Sequence, residues 1–112
     1  SMLFSLGCST TEPEDPRVQY YAIISPSDDP EVLKTISYTT AAGVDEQENT
    51  GVLNRTLSLP SGTFITLSAS GTSSSVLNIR IKLEIHIDGV LVASDEKDGA
   101  HSLSASITAT VP

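Results

Sequence analysis

The chain has one cysteine, one methionine, no tryptophan and only 4% aromatic residues. Its lone thiol, Cys8, excludes an intramolecular disulfide and cannot by itself build a cysteine-based zinc site. Basic residues are scarce as well. Six Lys and Arg stand against 14 Asp and Glu, a net charge of −8. Nucleic-acid binding depends on neutralising phosphates with Lys and Arg, so this balance argues against a nucleic-acid partner. Peripheral binding of the protein surface to an anionic bilayer is disfavoured for the same reason. What the chain does have is Ser and Thr, which supply roughly a quarter of it, well above ordinary usage. At 112 residues with 38% hydrophobic and 18% charged residues, the composition is that of one folded domain, neither disordered nor membrane-spanning.

The first sixteen residues differ from the rest. An apolar run, Leu3-Phe4-Ser5-Leu6, ends in Gly7-Cys8 and is followed by polar, acidic and Pro-rich sequence up to Pro16. This resembles the end of a bacterial lipoprotein signal peptide, in which the cysteine becomes the lipid-modified first residue. The resemblance implies that Cys8 is acylated and attaches the protein to a membrane, with the stretch after it as a semi-extended tether. Residues 1–16 are therefore expected to be signal remnant and tether, and 17–112 the folded domain. The implied location is extracytoplasmic, in the bacterial envelope, as a periplasmic or outer-membrane-surface protein.

Alternation dominates the remainder. Leu77, Ile79, Ile81, Leu83, Ile85 and Ile87 alternate with Asn78, Arg80, Lys82, Glu84 and His86, which is a strand with one buried and one solvated face. Asp88-Gly89 follows, the preferred pair for a type I′ turn, and Val90 to Ser94 returns. A two-residue turn is expected to pair Ile87 with Val90 and Ile85 with Val92, all facing one side. Leu103, Ala105, Ile107, Ala109 and Val111 alternate with hydroxyl residues in a second clear strand. Ile36–Thr40 and Ile65–Ala69 alternate as well, while Val18–Ser25 and Val52–Leu59 are strand-like, with Arg55 on the apolar phase marking a bulge or an edge. Breaks are expected at Ser25–Pro30, Ala42–Asn49, Pro60–Gly62, Gly71–Ser75 and Asp95–Gly99. A short turn near Pro30–Leu33 is the one helical element the pattern allows. About seven strands at this spacing predict an all-β, immunoglobulin-like antiparallel sandwich.

From Tyr20 onward the order of features resembles the periplasmic domain of the MmpS family, accessory proteins of mycobacterial lipid and siderophore exporters. The resemblance rests on Ile36-Ser37-Tyr38, Leu59-Pro60, Leu67-Ser68-Ala69-Ser70-Gly71 and Ile85-His86-Ile87-Asp88-Gly89-Val90. Ser61 stands where that family has Trp, and the chain lacks the family's cysteine pair. The resemblance implies a β-sandwich and, more distantly, an accessory role beside an export assembly.

Catalysis needs a nucleophile, a base and a means of holding developing charge. No Gly-x-Ser-x-Gly elbow occurs, and the only histidines are His86, on the polar face of the longest strand, and His101, in a polar loop after Asp98. No catalytic residue, cofactor or metal site is expected. Asp28-Asp29 with Glu31, and Asp45-Glu46 with Glu48, offer oxygen ligands in two loops, but neither matches a calcium-loop pattern. Tyr20 and Tyr21 are adjacent, so in a strand they face opposite sides and one is exposed. Candidate contact residues for a partner or ligand are therefore Tyr21, Asp45, Glu46, Glu48 and His86. The expected function is non-catalytic, a lipid-anchored envelope protein that contacts another envelope protein. The alternative is a glycan- or Ca²⁺-binding module.

Overall fold

In the computed structural model, which describes residues 15–41, 44–75 and 78–112, period-two sequence becomes extended backbone throughout. β1 spans Arg17–Ser25, β2 Leu33–Thr39, β3 Asp45–Glu48, β4 Val52–Ser58, β5 Phe64–Thr72, β6 Ile79–Ile87, β7 Val90–Gly99 and β8 Ser102–Thr110. All pairings are antiparallel. The first sheet has the order β4-β1-β6-β7 and the second β3-β2-β5-β8. The fold is all-β, two four-stranded sheets packed face to face. Among the described residues there is no helix. Pro30–Leu33 holds instead a turn closed by the Val32 N–H on the Asp29 carbonyl at 3.2 Å.

Burial of alternate residues explains the packing. Val18, Tyr20, Ala22 and Ile24 of β1, with Ile79, Ile81, Leu83, Ile85 and Ile87 of β6, form the inner face of the first sheet. Ile36 and Tyr38 of β2, Ile65, Leu67 and Ala69 of β5, and Ala105 and Ile107 of β8 face them from the second. Each fully buried aliphatic side chain in such a core stabilises the fold by about 1.5–3 kcal/mol relative to exposure. The Tyr20 and Tyr38 rings meet across the core at 5.4 Å between centroids, and the Tyr20 hydroxyl donates to the Thr39 carbonyl at 2.7 Å.

The pairing of β1 with β4 and of β2 with β5 matches that of strands B with E and C with F in an immunoglobulin sandwich. β6 occupies the position beside β1 that the first strand of that fold would fill, and β8 lies in the place of its last. Among the described residues the strand count is eight, because Asp45–Glu48 forms a short edge strand on β2 where a break was expected. Its four polar residues carry no apolar alternation to announce a strand; pairing to Ile36–Thr39 is what makes it one. β7 likewise continues through Asp95–Gly99, since β6 offers a partner all along its length.

The Asp88-Gly89 turn has φ of 51° and 81°, both positive as a type I′ turn requires. Ile87 stands opposite Val90 as expected, but Ile85 faces Ala93 and not Val92. A bulge after the turn adds one residue to β7 and shifts its phase. Val90, Leu91 and Val92 are left 46–62% exposed. Arg55 marks an edge, not a bulge: β4 is the outermost strand of its sheet, and its register with β1 is unbroken.

One glycine is dictated by proximity. A Cβ on Gly51 would lie 2.5 Å from the Ser27 carbonyl oxygen and 2.7 Å from its Cα, and the Gly51 carbonyl accepts the Ile24 N–H at 2.8 Å. Backbone on both sides cannot yield. Gly51→Ala is therefore expected to lower stability by about 1–3 kcal/mol, seen as a reduced urea midpoint at unchanged m-value.

Candidate functional site

The outer face of the first sheet carries Tyr21 and His86. Tyr21 on β1 lies between Asn54 of β4 and Glu84 of β6, and His86 lies opposite Gln19. The Gln19 side-chain amide donates to Asn54 at 2.9 Å. His86 Nε2 is 2.9 Å from a Glu84 oxygen, whose other oxygen is 3.7 Å from Lys82 Nζ. The hydrogen bond from His86 and the nearby Lys82 charge hold the Glu84 carboxyl below the usual carboxylate range. Tyr21 and His86 thus share one half-buried polar surface.

Asp45, Glu46 and Glu48 sit elsewhere, on β3 at the far edge of the second sheet. All three are engaged inside the protein. The Tyr38 hydroxyl donates to Glu48 at 2.8 Å and also lies 3.4 Å from Glu46. Arg55 reaches over from β4 to pair with Glu48 at 2.7 Å, its guanidinium 5.6 Å from the Tyr38 ring centroid. The Thr39 hydroxyl donates to Asp45 at 3.0 Å while accepting the Thr66 N–H at 3.1 Å. These acids close one edge of the sandwich. The five candidate contact residues therefore do not converge on one site.

The two histidines are also far apart in the fold. His101, at φ 67°, forms the β7–β8 turn, with its Nδ1 3.2 Å from the Ser73 carbonyl and its own carbonyl accepting the Ser73 N–H at 2.7 Å. Gly99 pairs with Ile79, so this turn lies at the start of β6, whereas His86 lies near its end. Asp98 is bridged to Arg80 at 3.6 Å and not to His101. Among the described residues no three His, Cys, Asp or Glu side chains are grouped to hold a metal ion. Cys8 lies outside the described residues.

A further surface is one that sequence reading passed over. On the outer face of the second sheet Thr35, Ser70 and Ser104 form one cross-strand row, and Ser37, Ser68 and Ser106 the next. With the Lys97 side chain they line a shallow groove of about 480 Å³. Neither β5 nor β8 contains a charged residue, in a chain of net charge −8. The hydroxyl alternation was legible; that these three strands are neighbours was not. Among the described residues, Lys97 has neither an ion pair nor a hydrogen bond.

β8 is also an open edge. Val111 donates to the Thr63 carbonyl and accepts from Gly62, so odd-numbered residues direct their backbone groups to β5. The even-numbered residues Ser104, Ser106, Thr108 and Thr110 direct theirs outward, where no strand among the described residues pairs with them, while the Ser102 N–H turns back to the Ala100 carbonyl. The other three edges differ. β3 is short and acidic, β4 carries Arg55, and β7 is bulged and bears Asp95, Glu96, Lys97 and Asp98. These are the usual devices against unwanted pairing, and β8 has none within its own sequence.

Protein-family models and curated proteins give no match to this chain.

Burial pushes the Tyr38 hydroxyl up to about 12, reinforced by its bond to Glu48, and burial likewise raises Tyr20 to about 12. A raised value in the folded state means that this stability is complete below the ordinary tyrosine value of about 10 and is lost as pH climbs through about 12. Tyr38→Phe is expected to flatten the fall in stability across that window, measured by urea unfolding at a series of alkaline pH values. Glu84 has the opposite sign: its stabilisation is present above the ordinary carboxylate range and lost as pH falls through the depressed folded value. Glu84→Gln and His86→Ala should each make the acid limb of stability shallower, by lowering stability at neutral pH while leaving it nearly unchanged once Glu84 is protonated.

Proposed function

We propose that this chain is a non-catalytic, lipid-anchored protein of the bacterial envelope that works by protein–protein contact, with Cys8 as the acylated residue and residues 9–16 as its tether. The observation that carries the contact reading is the β8 edge, nine residues without a charge, whose outward backbone donors and acceptors meet no strand among the described residues, beside a neutral hydroxyl face. An extended segment of a partner can add to such an edge by main-chain hydrogen bonds, with alternate side chains supplying selectivity. The anchoring half of the reading rests on Gly7-Cys8 and the polar sequence after it. An accessory role in an export or surface assembly is consistent with both halves.

A glycan-binding module is the second reading. It is favoured by the hydroxyl-lined groove, at whose sheet end Phe64 lies 63% exposed opposite Thr110.

Two measurements decide. In cells fed an alkyne-bearing fatty acid, the protein should acquire label and partition with membranes, and Cys8→Ser should lose both; an unlabelled, freely soluble protein would refute the anchor. In a cross-linking pull-down from solubilised envelope, a stoichiometric protein should be captured by the chain and lost with Ser106→Pro. Capture of polysaccharide alone, abolished by Ser68→Ala with Ser106→Ala, would transfer the assignment to the glycan reading.

A further inference from the structure

The occupant that the β8 edge fits best can be read from the strand itself and from the strand stacked beside it. About Ser106 the sequence of β8 matches itself in reverse. Ser102 would meet Thr110, Ser104 would meet Thr108, and Leu103 and Ala105 would meet Ala109 and Ile107. Hydroxyl faces hydroxyl and apolar faces apolar, with no charge at any position. The outward-directed residues are the even-numbered ones, so a two-fold axis through Ser106 pairs groups that both point across the new boundary.

The second strand decides the register. β7 runs back over β8 from the Ala100–His101 turn, and a Cβ on Gly99 would lie 3.2 Å from Leu103 Cδ1. Two residues earlier Lys97 lies beside Ser104, Ala105 and Ser106, with which it lines the groove. Two residues earlier again, Asp95 on the same phase of β7 falls level with Ile107; Asp95 and Lys97 stand opposite Leu83 and Ile81 of β6. Neither Asp95 nor Lys97 has an ion-pair partner among the described residues. In the two-fold arrangement Ala105 of one copy lies opposite Ile107 of the other. Lys97 of each copy therefore comes level with Asp95 of the second copy, twice over.

We infer that two copies of this chain join edge to edge through antiparallel β8–β8 pairing about Ser106, with Lys97 and Asp95 exchanging ion pairs across the two-fold axis. The two second sheets then form one continuous eight-stranded sheet. This inference rests on the reading of β8 as the contact edge and makes its partner a second copy. A nine-residue edge buries less surface than a permanent interface, so the association is reversible and weak in solution. Two chains anchored to one membrane would meet at much higher effective concentration.

The test uses the whole chain with Cys8→Ser, which removes the only native thiol. Sedimentation equilibrium should give a concentration-dependent rise from 11.8 kDa toward twice that mass. Ser106→Pro should abolish the rise. Its N–H makes no ladder bond to β5, so the fold should persist, checked by an unchanged circular dichroism spectrum. Lys97→Asp should weaken association, and Lys97→Asp combined with Asp95→Lys should restore it, which a general loss of folding would not do. Ser106→Cys should oxidise to a covalent dimer, since paired residues lie about 5.5 Å apart, whereas Thr108→Cys should not. A monomer at every concentration up to about 1 mM, or equal cross-linking at Thr108, overturns the inference. If it is overturned while the envelope pull-down still captures a partner through Ser106, the contact reading stands and only the second copy is ruled out.

Discussion

Two polar-backboned sheets can hide their apolar stripes only against each other, and that single requirement organises this molecule. β1 and β6 supply the longest inner stripe, from Val18 to Ile24 and from Ile79 to Ile87, and β2, β5 and β8 cover it. Since successive side chains point to opposite faces, every buried Ile or Leu obliges its neighbour to face out. The Ser and Thr abundance is the other half of the same constraint. It gives the second sheet an outer face that is hydrated without being charged.

A sandwich built this way has four strand edges, and how each is closed sets what the surface can do. The β3 edge is shut by its own acids, tied inward through Tyr38, Thr39 and Arg55. The buried Tyr20–Tyr38 contact and the Glu48–Arg55 pair together make that end of the domain internally satisfied. The bulge in β7 turns one more edge away while leaving Val90, Leu91 and Val92 in solvent. Among the described residues β8 alone keeps an outer edge that is uncharged, unbulged and without a partner strand, with Lys97 the nearest charge. In a protein of net charge −8, this neutral edge is where charge repulsion least opposes the close approach of another acidic chain.

Site residues were less legible than strands. Asp45, Glu46 and Glu48 read as free loop carboxylates because a four-residue polar segment has no period to betray it as a strand. Their engagement with Tyr38, Thr39 and Arg55 depends on cross-strand register, which no local pattern encodes. Alternation placed His86 on an outer face and required one of Tyr20 and Tyr21 to face out; that it is Tyr21, and that the two share a surface, follows only from the burial of Tyr20 and from β1 lying beside β6. Lys97 was hidden inside an acidic stretch that looked like a loop.

Taken by itself, the amino-acid sequence determined the class of fold, most strand positions, the inward face of the regularly alternating strands and the Asp88-Gly89 turn. It did so because period-two burial and positive-φ turn chemistry are local properties of the backbone. The tertiary structure alone decided which strands are neighbours, which are edges, and where the bulge shifts the phase of β7. Those depend on pairing between residues far apart in the chain, where many partners of equal hydrophobicity compete and only the packing of the whole core selects among them. The open β8 edge and the hydroxyl groove beside it belong to that second category.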